Sequence, residues 1–281
     1  MLERLAGRRA LITGATSGLG EALALGLAAD GWRVAVTGRR PARVERTAEA
    51  VSRAGGTPLP LVLEVTEIHD FENAANAVQR AWGGIDLLVN NAGIAGAGRI
   101  DELTLEDWER VLRTNLWSAI YGCRTFAPLL RRQGGSHIVN VASAAGVLCA
   151  PEMSNYSVSK AGVVALSETL HVELAPDHVG VTVVVPGIFQ SDILSDEKLA
   201  QAGGQGRMLA GIRGKQRETA STSAQVAAHV VACVEKQRLF CLPHADMRVA
   251  WWLKRMFPQL NRRIIGYLAR KRLWVFSRID E

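Results

Sequence analysis

An apolar run, Ala10-Leu11-Ile12, passes straight into Thr13-Gly14-Ala15-Thr16-Ser17-Gly18-Leu19-Gly20, after which apolar residues recur at Leu23 and Leu27. The pattern reads as a short buried strand, a glycine turn and a helix over about 19–29. No other segment constrains the fold as much. A helix entered through a tight glycine turn presents N–H groups that lack intrahelical partners, so its N-terminus can receive an anion. Gly14 suits the turn, and Gly18 and Gly20 let backbone approach a bound group and the sheet. Strand-like runs recur at about 33–37, 59–64, 85–89, 137–142, 180–185 and 239–242, with helical patterns between them. Helix starts are marked at Thr104, before Glu106-Asp107, and at Ser223, before Ala224. Such alternation implies parallel strands joined by right-handed crossovers. The expected fold is α/β, a doubly wound, Rossmann-type parallel sheet in a single domain, with its ligand site beyond the carboxyl ends of the strands.

Tyr156-Ser157-Val158-Ser159-Lys160 sets a phenol and an ammonium four residues apart, on one face of a helix. A neighbouring ammonium favours the phenolate and lowers the phenol pKa. A phenol moved towards neutrality exchanges a proton with a substrate oxygen. Neither histidine nor cysteine is needed for this chemistry, which disfavours acyl-enzyme readings. The six histidines do not cluster, and Cys123, Cys149, Cys233 and Cys241 have neither metal nor disulfide spacing. No metal site is expected, and most of the cysteines read as small buried hydrophobes in a reducing compartment. The first residues lack a signal peptide's apolar stretch, and no apolar window is long enough to span a bilayer. A cytoplasmic location is therefore expected, peripheral at a membrane surface if the C-terminus docks there.

The motifs occur in a telling order: Thr13 to Gly20, Asn90-Asn91-Ala92-Gly93, Asn115, Ser143, Tyr156-x-x-x-Lys160, then Pro186-Gly187. In this the chain resembles the short-chain dehydrogenase/reductase family, in the branch carrying T-G-x-x-x-G-x-G, over about residues 8–242. The resemblance implies catalysis by Asn115, Ser143, Tyr156 and Lys160. Tyr156 would act as acid and base, and Lys160 would lower its pKa and hold the nicotinamide ribose. Ser143 would orient the substrate oxygen, and Asn115 would hold a water linking Lys160 to solvent. Cofactor contacts would come from Gly14, Thr16, Ser17, Gly18, Leu19, Gly20, Arg39, Glu64, Val65, Asn91, Ala92, Gly93, Pro186, Gly187, Ile188 and Ser191, besides Tyr156 and Lys160. Ser191 stands where the family often has Thr against the carboxamide. Substrate would meet Ser143, Ala145, Val147, Leu148, Tyr156 and Phe189, a mostly apolar set that suggests a lipophilic ketone, aldehyde or alcohol.

The second strand ends at Gly38-Arg39-Arg40. An acidic residue there would bind the adenosine ribose hydroxyls and select NAD. Glycine followed by guanidinium groups suits a 2′-phosphate instead. NADP(H) is the expected cofactor, with Arg39 its main reader. Two departures from the family stand beside this: Ser17 replaces a second basic residue found in many NADP users, and Glu64 replaces the usual Asp beside adenine. The glycines between residues 190 and 222 fit a lid closing over ligand.

The chain carries 33 Lys and Arg against 27 Asp and Glu. Nine of those cations and only three of the acids lie in residues 245–281, so the whole excess of +6 sits there. This divides the chain into a catalytic and cofactor-binding part, residues 1–244, and a basic, aromatic extension, residues 245–281. Val249, Trp252, Leu253 and Met256 share a helical face, Pro258 interrupts, and Leu260, Ile264, Tyr267 and Leu268 continue the pattern. Trp251, Phe257, Trp274 and Phe276 add aromatics between the cations. Membrane-surface docking, packing on another subunit or over the pocket mouth, and capture of a phosphate-bearing substrate all stay open. Nucleic acid is not expected, since no recognised binding motif accompanies the charge. Val163, Val164, Leu166, Leu170 and Val172 make the Tyr156 helix apolar around much of its circumference, which suits a homodimer or homotetramer. The leading function is an NADP(H)-dependent oxidoreductase on a lipophilic carbonyl or alcohol. The alternatives are a 3-oxoacyl thioester reductase and, from another class, a non-catalytic protein that senses the cofactor and uses the extension as a partner surface.

Overall fold

The computed structural model describes residues 2, 5, 7–194 and 206–271 of the protein. Seven strands are present among them: β1 (Arg9–Ile12), β2 (Arg33–Gly38), β3 (Thr57–Val62), β4 (Leu87–Asn90), β5 (His137–Val141), β6 (Gly180–Val184) and β7 (Phe240–Cys241). Each lies within two residues of the run expected from the sequence. They form one parallel sheet in the order β3-β2-β1-β4-β5-β6-β7. The chain order reverses between β1 and β4, which opens a crevice at their carboxyl ends.

Between the strands lie α1 (Gly18–Ala29), α2 (Pro41–Arg53), α3 (Ile68–Trp82), α4 (Leu105–Leu112), α5 (Ser118–Arg131), α6 (Ala144–Leu148) and α7 (Ser154–Glu173). Four more follow: α8 (Gly206–Glu218), α9 (Ser223–Glu235), α10 (Ala245–Met256) and α11 (Pro258–Arg270). The sheet is apolar on both faces because strand side chains alternate. Ile12, Val36, Val89, Val139 and Val184 pack with Leu23 and Leu27 of α1 and Val226 and Val230 of α9. Their neighbours Leu11, Ala35, Leu88, Ile138 and Val181 pack on the other side with Phe71 of α3 and Phe126 of α5.

Edge and cap positions follow from simple chemistry. Pro58 and Pro60 stand at alternate positions of β3 and lack N–H donors, so that strand can pair along one side only and closes the sheet. Thr104 caps α4 as expected, in a reciprocal pair with Asp107. The cap of α9 is Thr222 rather than Ser223. The Thr222 hydroxyl accepts from the Gln225 N–H, whereas the Ser223 hydroxyl donates to the Gln190 carbonyl at 2.8 Å. Two of the cysteines, Cys123 and Cys241, are buried, but Cys149 is exposed and Cys233 half-buried.

The C-terminal helices are tied to the sheet's carboxyl end. Trp251 packs on Phe240 of β7 at 5.2 Å between ring centroids, and Arg255 lies over the Trp251 ring at 4.7 Å. Lys254 donates to the carbonyl of Val147. Met247 and Asn261 are buried.

Candidate active site

The glycine turn builds one wall of the crevice. Gly14 and Gly18 take φ of +64° and +55°, the left-handed region that side chains resist. Gly20 is needed for a different reason: a Cβ there would stand 2.3 Å from the Gly14 carbonyl oxygen and 2.5 Å from the Asn91 amide. Asn91 itself clamps the turn. Its side chain donates to the carbonyls of Thr13 at 2.9 Å and Gly14 at 3.2 Å. The Thr13 hydroxyl in turn accepts from the N–H groups of Asn91 and Ala92, at 2.9 and 3.0 Å. The turn is thus fixed from β4, and the N-terminus of α1 opens on the crevice.

Along that crevice runs a cavity of about 600 Å³, a size suited to organic ligands. At one end stand Gly38, Arg39, Arg40 and Arg43, beside Glu64 and Val65. A Cβ on Gly38 would come within 2.9 Å of the Thr16 methyl, so this end of the cavity has no room for a larger residue without movement of Thr16. The Glu64 carboxylate accepts from the Thr66 N–H and hydroxyl, each at 3.3 Å, and so is already engaged within its own loop. In the middle, Gly14, Thr16, Ser17, Gly18 and Leu19 face Asn91, Ala92 and Gly93. Gly20 packs behind the turn and is not part of the cavity wall.

At the far end Ser143, Tyr156 and Lys160 come together. Ser143 caps α6, its oxygen accepting from the Ala145 N–H at 3.2 Å. Tyr156 and Lys160 project from the same face of α7, and the ammonium nitrogen lies 5.9 Å from the phenol ring centre. That nitrogen donates to the Val141 carbonyl at 2.9 Å, at the end of β5. Burial pushes the Tyr156 phenol above its ordinary value, and a hydrogen bond with Ser143 works against that rise. Burial also pulls Lys160 down to about 8. The lowered phenol expected from the sequence is therefore not a property of the protein by itself: both side chains are enclosed, and low dielectric disfavours both charged forms.

Asn115 reaches this end from a π-helical turn, Arg113–Trp117, set between α4 and α5. The extra residue of such a turn is a frequent device at functional sites. The Asn115 amide donates to the Ile94 carbonyl at 3.0 Å and to Ser159 Oγ at 3.1 Å, and its oxygen accepts from the Ile94 N–H at 2.8 Å. Both donors are thereby used, so its remaining capacity is as an acceptor. A Cβ on Gly93 would sit 3.1 Å from that oxygen and 3.3 Å from the Lys160 nitrogen, so these three positions adjoin.

The substrate side is apolar. Ala145, Leu148, Ile188 and Phe189 line it, together with Met153, Leu194, Leu209, Ile212, Ile265 and Leu268, which are not among the expected substrate contacts. Val147 is a correction: it packs with Ala119, Ala142, Val163, Val183 and Val185 in the core, away from the cavity. The segment after Ser143 is a helix, so Ala145 and Leu148, three apart, share one face while Val147 turns to the other. Of the expected lid, residues 195–205 lie outside the described residues, and Gly211 and Gly214 belong to α8.

Two polar residues went unnoticed in the sequence. Gln216 donates to Ser191 Oγ at 3.0 Å and lines the cavity. His244 accepts the Gly187 N–H on Nδ1 at 3.0 Å and meets the Ser221 hydroxyl through Nε2 at 2.9 Å. Gly187 is close-packed as well, since a Cβ there would meet Met247 at 2.9 Å. A lone Gln in a basic helix carries no signal. For His244 the signal was its position, just past the carboxyl end of β7, where such sheets place their sites.

Comparison with known proteins adds a family. The model of the short chain dehydrogenase family matches residues 8–202. The probable oxidoreductase EphD of Mycobacterium tuberculosis is 32% identical over 256 residues, 89% of this chain. The chain spans only 43% of that protein's length. The 11-beta-hydroxysteroid dehydrogenase-like protein 4A of Arabidopsis thaliana is 31% identical over 260 residues, covering 92% of this chain and 83% of the relative. Among solved structures, a short chain dehydrogenase/reductase from Burkholderia phymatum in complex with NAD superimposes with a TM-score of 0.81 at 29% identity, covering 90% of this chain and 94% of that one.

Proposed function

Because the chain belongs to the short chain dehydrogenase family, we propose that it is an NADP(H)-dependent oxidoreductase interconverting a lipophilic ketone or aldehyde and its alcohol. One observation carries this reading: Ser143, Tyr156 and Lys160 meet at the end of a single cavity whose remaining wall there is mostly apolar. The glycine cradle at the N-terminus of α1 fits the diphosphate of a dinucleotide, and the crevice leads from it to Tyr156. When bound, the nicotinamide supplies the hydride that reaches the carbonyl carbon.

The chain's own residues do the rest. Ser143 orients the substrate oxygen beside Tyr156. Tyr156 gives its hydroxyl proton to that oxygen as the carbonyl becomes an alcohol, and takes it back in the reverse direction. Lys160, fixed by the Val141 carbonyl and still largely protonated at neutral pH, offsets the charge left on the phenolate. Asn115, an acceptor beside Lys160, suits a water that restores the proton from solvent.

NADP(H) is favoured by this chain's own residues, in contrast to the NAD held by the Burkholderia phymatum neighbour. Gly38 offers no carboxylate to ribose hydroxyls, and Arg39, Arg40 and Arg43 surround that end of the cavity. A homodimer or homotetramer through α5 and α7 is part of the same proposal, supported by Val158 and Val172, exposed on one face of α7, and by Trp117, exposed at the start of α5.

The test is NADPH oxidation with a panel of apolar ketones and aldehydes. Tyr156→Phe is expected to lower kcat/KM by about 10³-fold. Full turnover by that variant would remove Tyr156 from the mechanism.

A further inference from the structure

Residues 249–267 hold seven of the thirteen large hydrophobic side chains that are exposed among the described residues. On α10, Val249, Trp252 and Met256 form one stripe. On α11, Leu260, Ile264 and Tyr267 form another, and Phe257 at the corner joins the two. Trp252, Met256 and Phe257 are each about 60% exposed (58, 61 and 59%). Both stripes face solvent, and they adjoin in the chain at Phe257. Two residues of the pattern expected from the sequence turn inward: Leu253 is half-buried, and Leu268 lines the cavity with Ile265. Consecutive residues of α11 thus divide between the two environments. Ile264 and Tyr267 are exposed, while Ile265 and Leu268 wall the substrate end.

The stripe is flanked by charge of one sign. Residues 245–271 carry Arg248, Lys254, Arg255, Arg262, Arg263, Arg270 and Lys271 against Asp246 alone. All of these cations except Lys254 are exposed. An apolar, aromatic stripe edged by arginines matches the anionic face of a lipid bilayer, where the apolar side chains enter the headgroup boundary and the cations meet lipid phosphates. A second copy of the chain matches it poorly. In a two-fold interface the same patch meets itself, so each row of arginines would face another.

We propose that α10 and α11 form a docking face for an anionic bilayer, with Trp252, Met256, Phe257, Leu260, Ile264 and Tyr267 entering the interface and Arg263 and Arg270, which flank the α11 stripe, holding the headgroups. The cavity wall formed by Ile265 and Leu268 then lies one helix thickness from the lipid. A lipophilic substrate dissolved in the bilayer would have a short path to Tyr156. The docking face stands independently of the reaction assigned above.

The experiment is co-sedimentation of the full chain with phosphatidylcholine vesicles, with and without about one quarter phosphatidylserine. The chain should pellet with the anionic vesicles, only weakly with the neutral ones, and less as salt rises. Arg263→Gln/Arg270→Gln should bind about thirtyfold more weakly, from about fivefold per cation near an anionic surface. Trp252→Ala/Phe257→Ala should bind more weakly on both vesicle types. None of these four side chains lines the cavity, so thermal melts and turnover of a water-soluble substrate should stay at wild-type values, which controls for folding. Equal pelleting of the arginine variant and the wild type would overturn the proposal. So would a wild type that stays in the supernatant. If, in addition, Trp252→Ala/Phe257→Ala dissociated an oligomer in sedimentation equilibrium, the face would be a subunit contact.

Discussion

Replacing Lys160 with methionine should make the ligand-free protein more stable while removing its activity. The side chain is 3% exposed and carries no carboxylate partner that raises its pKa, so folding buries an ammonium against its preference. Its pKa falls from 10.5 to about 8, which at neutral pH corresponds to about 3 kcal/mol. Methionine has similar length and no charge, so it removes this cost. It also removes the 2.9 Å hydrogen bond to the Val141 carbonyl, a loss of about 1–2 kcal/mol. The expected net gain is about 1–2 kcal/mol, or about 2–4 °C in melting temperature. The sign of the pH dependence follows from the depressed folded pKa. The wild type gains stability as pH rises from about 8 to 10.5, because the folded state sheds a proton that the unfolded chain keeps. The advantage of Lys160→Met should therefore be full at pH 7 and shrink across that window. Melts by circular dichroism at neutral and alkaline pH, without cofactor, would measure it. A variant less stable than wild type at pH 7, or a difference unchanged with pH, would refute the argument that the buried ammonium is a net liability.

Three further outcomes follow from the same structure. Arg39→Ala should lower kcat/KM with NADPH by about 10- to 100-fold, through loss of a charged contact, and leave that with NADH nearly unchanged. An unmoved ratio in steady-state assays would remove the arginine end as the cofactor reader. His244, whose pKa is lowered by burial and also feels Asp246, His229 and Arg248, should lose stability below its ordinary range, because protonating Nδ1 breaks the Gly187 hydrogen bond; His244→Gln should flatten the acid side of a melting-temperature profile. Val172→Glu, at a side chain 73% exposed on α7, should shift an oligomer towards monomer in sedimentation velocity, and no change would place the subunit contact elsewhere.

The family fold and, through the family resemblance, about half of the cavity wall were legible in the sequence, because the motifs that mark them depend on local spacing. Strand–glycine–helix at residues 9–29 and Tyr156-x-x-x-Lys160 specify backbone shape and a shared helix face within a few residues. Those signals need no knowledge of distant contacts. Val147 stands in the expected substrate set only as a chain neighbour of Ala145 and Leu148, whereas residues 144–148 form α6 and its 3.6-residue period sends Val147 to the core. The Thr222 cap was missed by one position because Ser and Thr are both good caps, and a distant carbonyl, that of Gln190, engages Ser223.

By itself the sequence determined the alternation of elements, the glycine cradle and the pairing of phenol with amine, since each is written in neighbouring residues. Only the tertiary structure decided that a π-turn brings Asn115 to Gly93 and Lys160, that His244 and Met247 brace Gly187, and that α11 walls the cavity on one side while exposing Ile264 and Tyr267 on the other. It also decided the protonation of the pair at the site. Spacing places an amine next to a phenol, but how far each is removed from water depends on the whole fold, and here that burial opposes the charge on both.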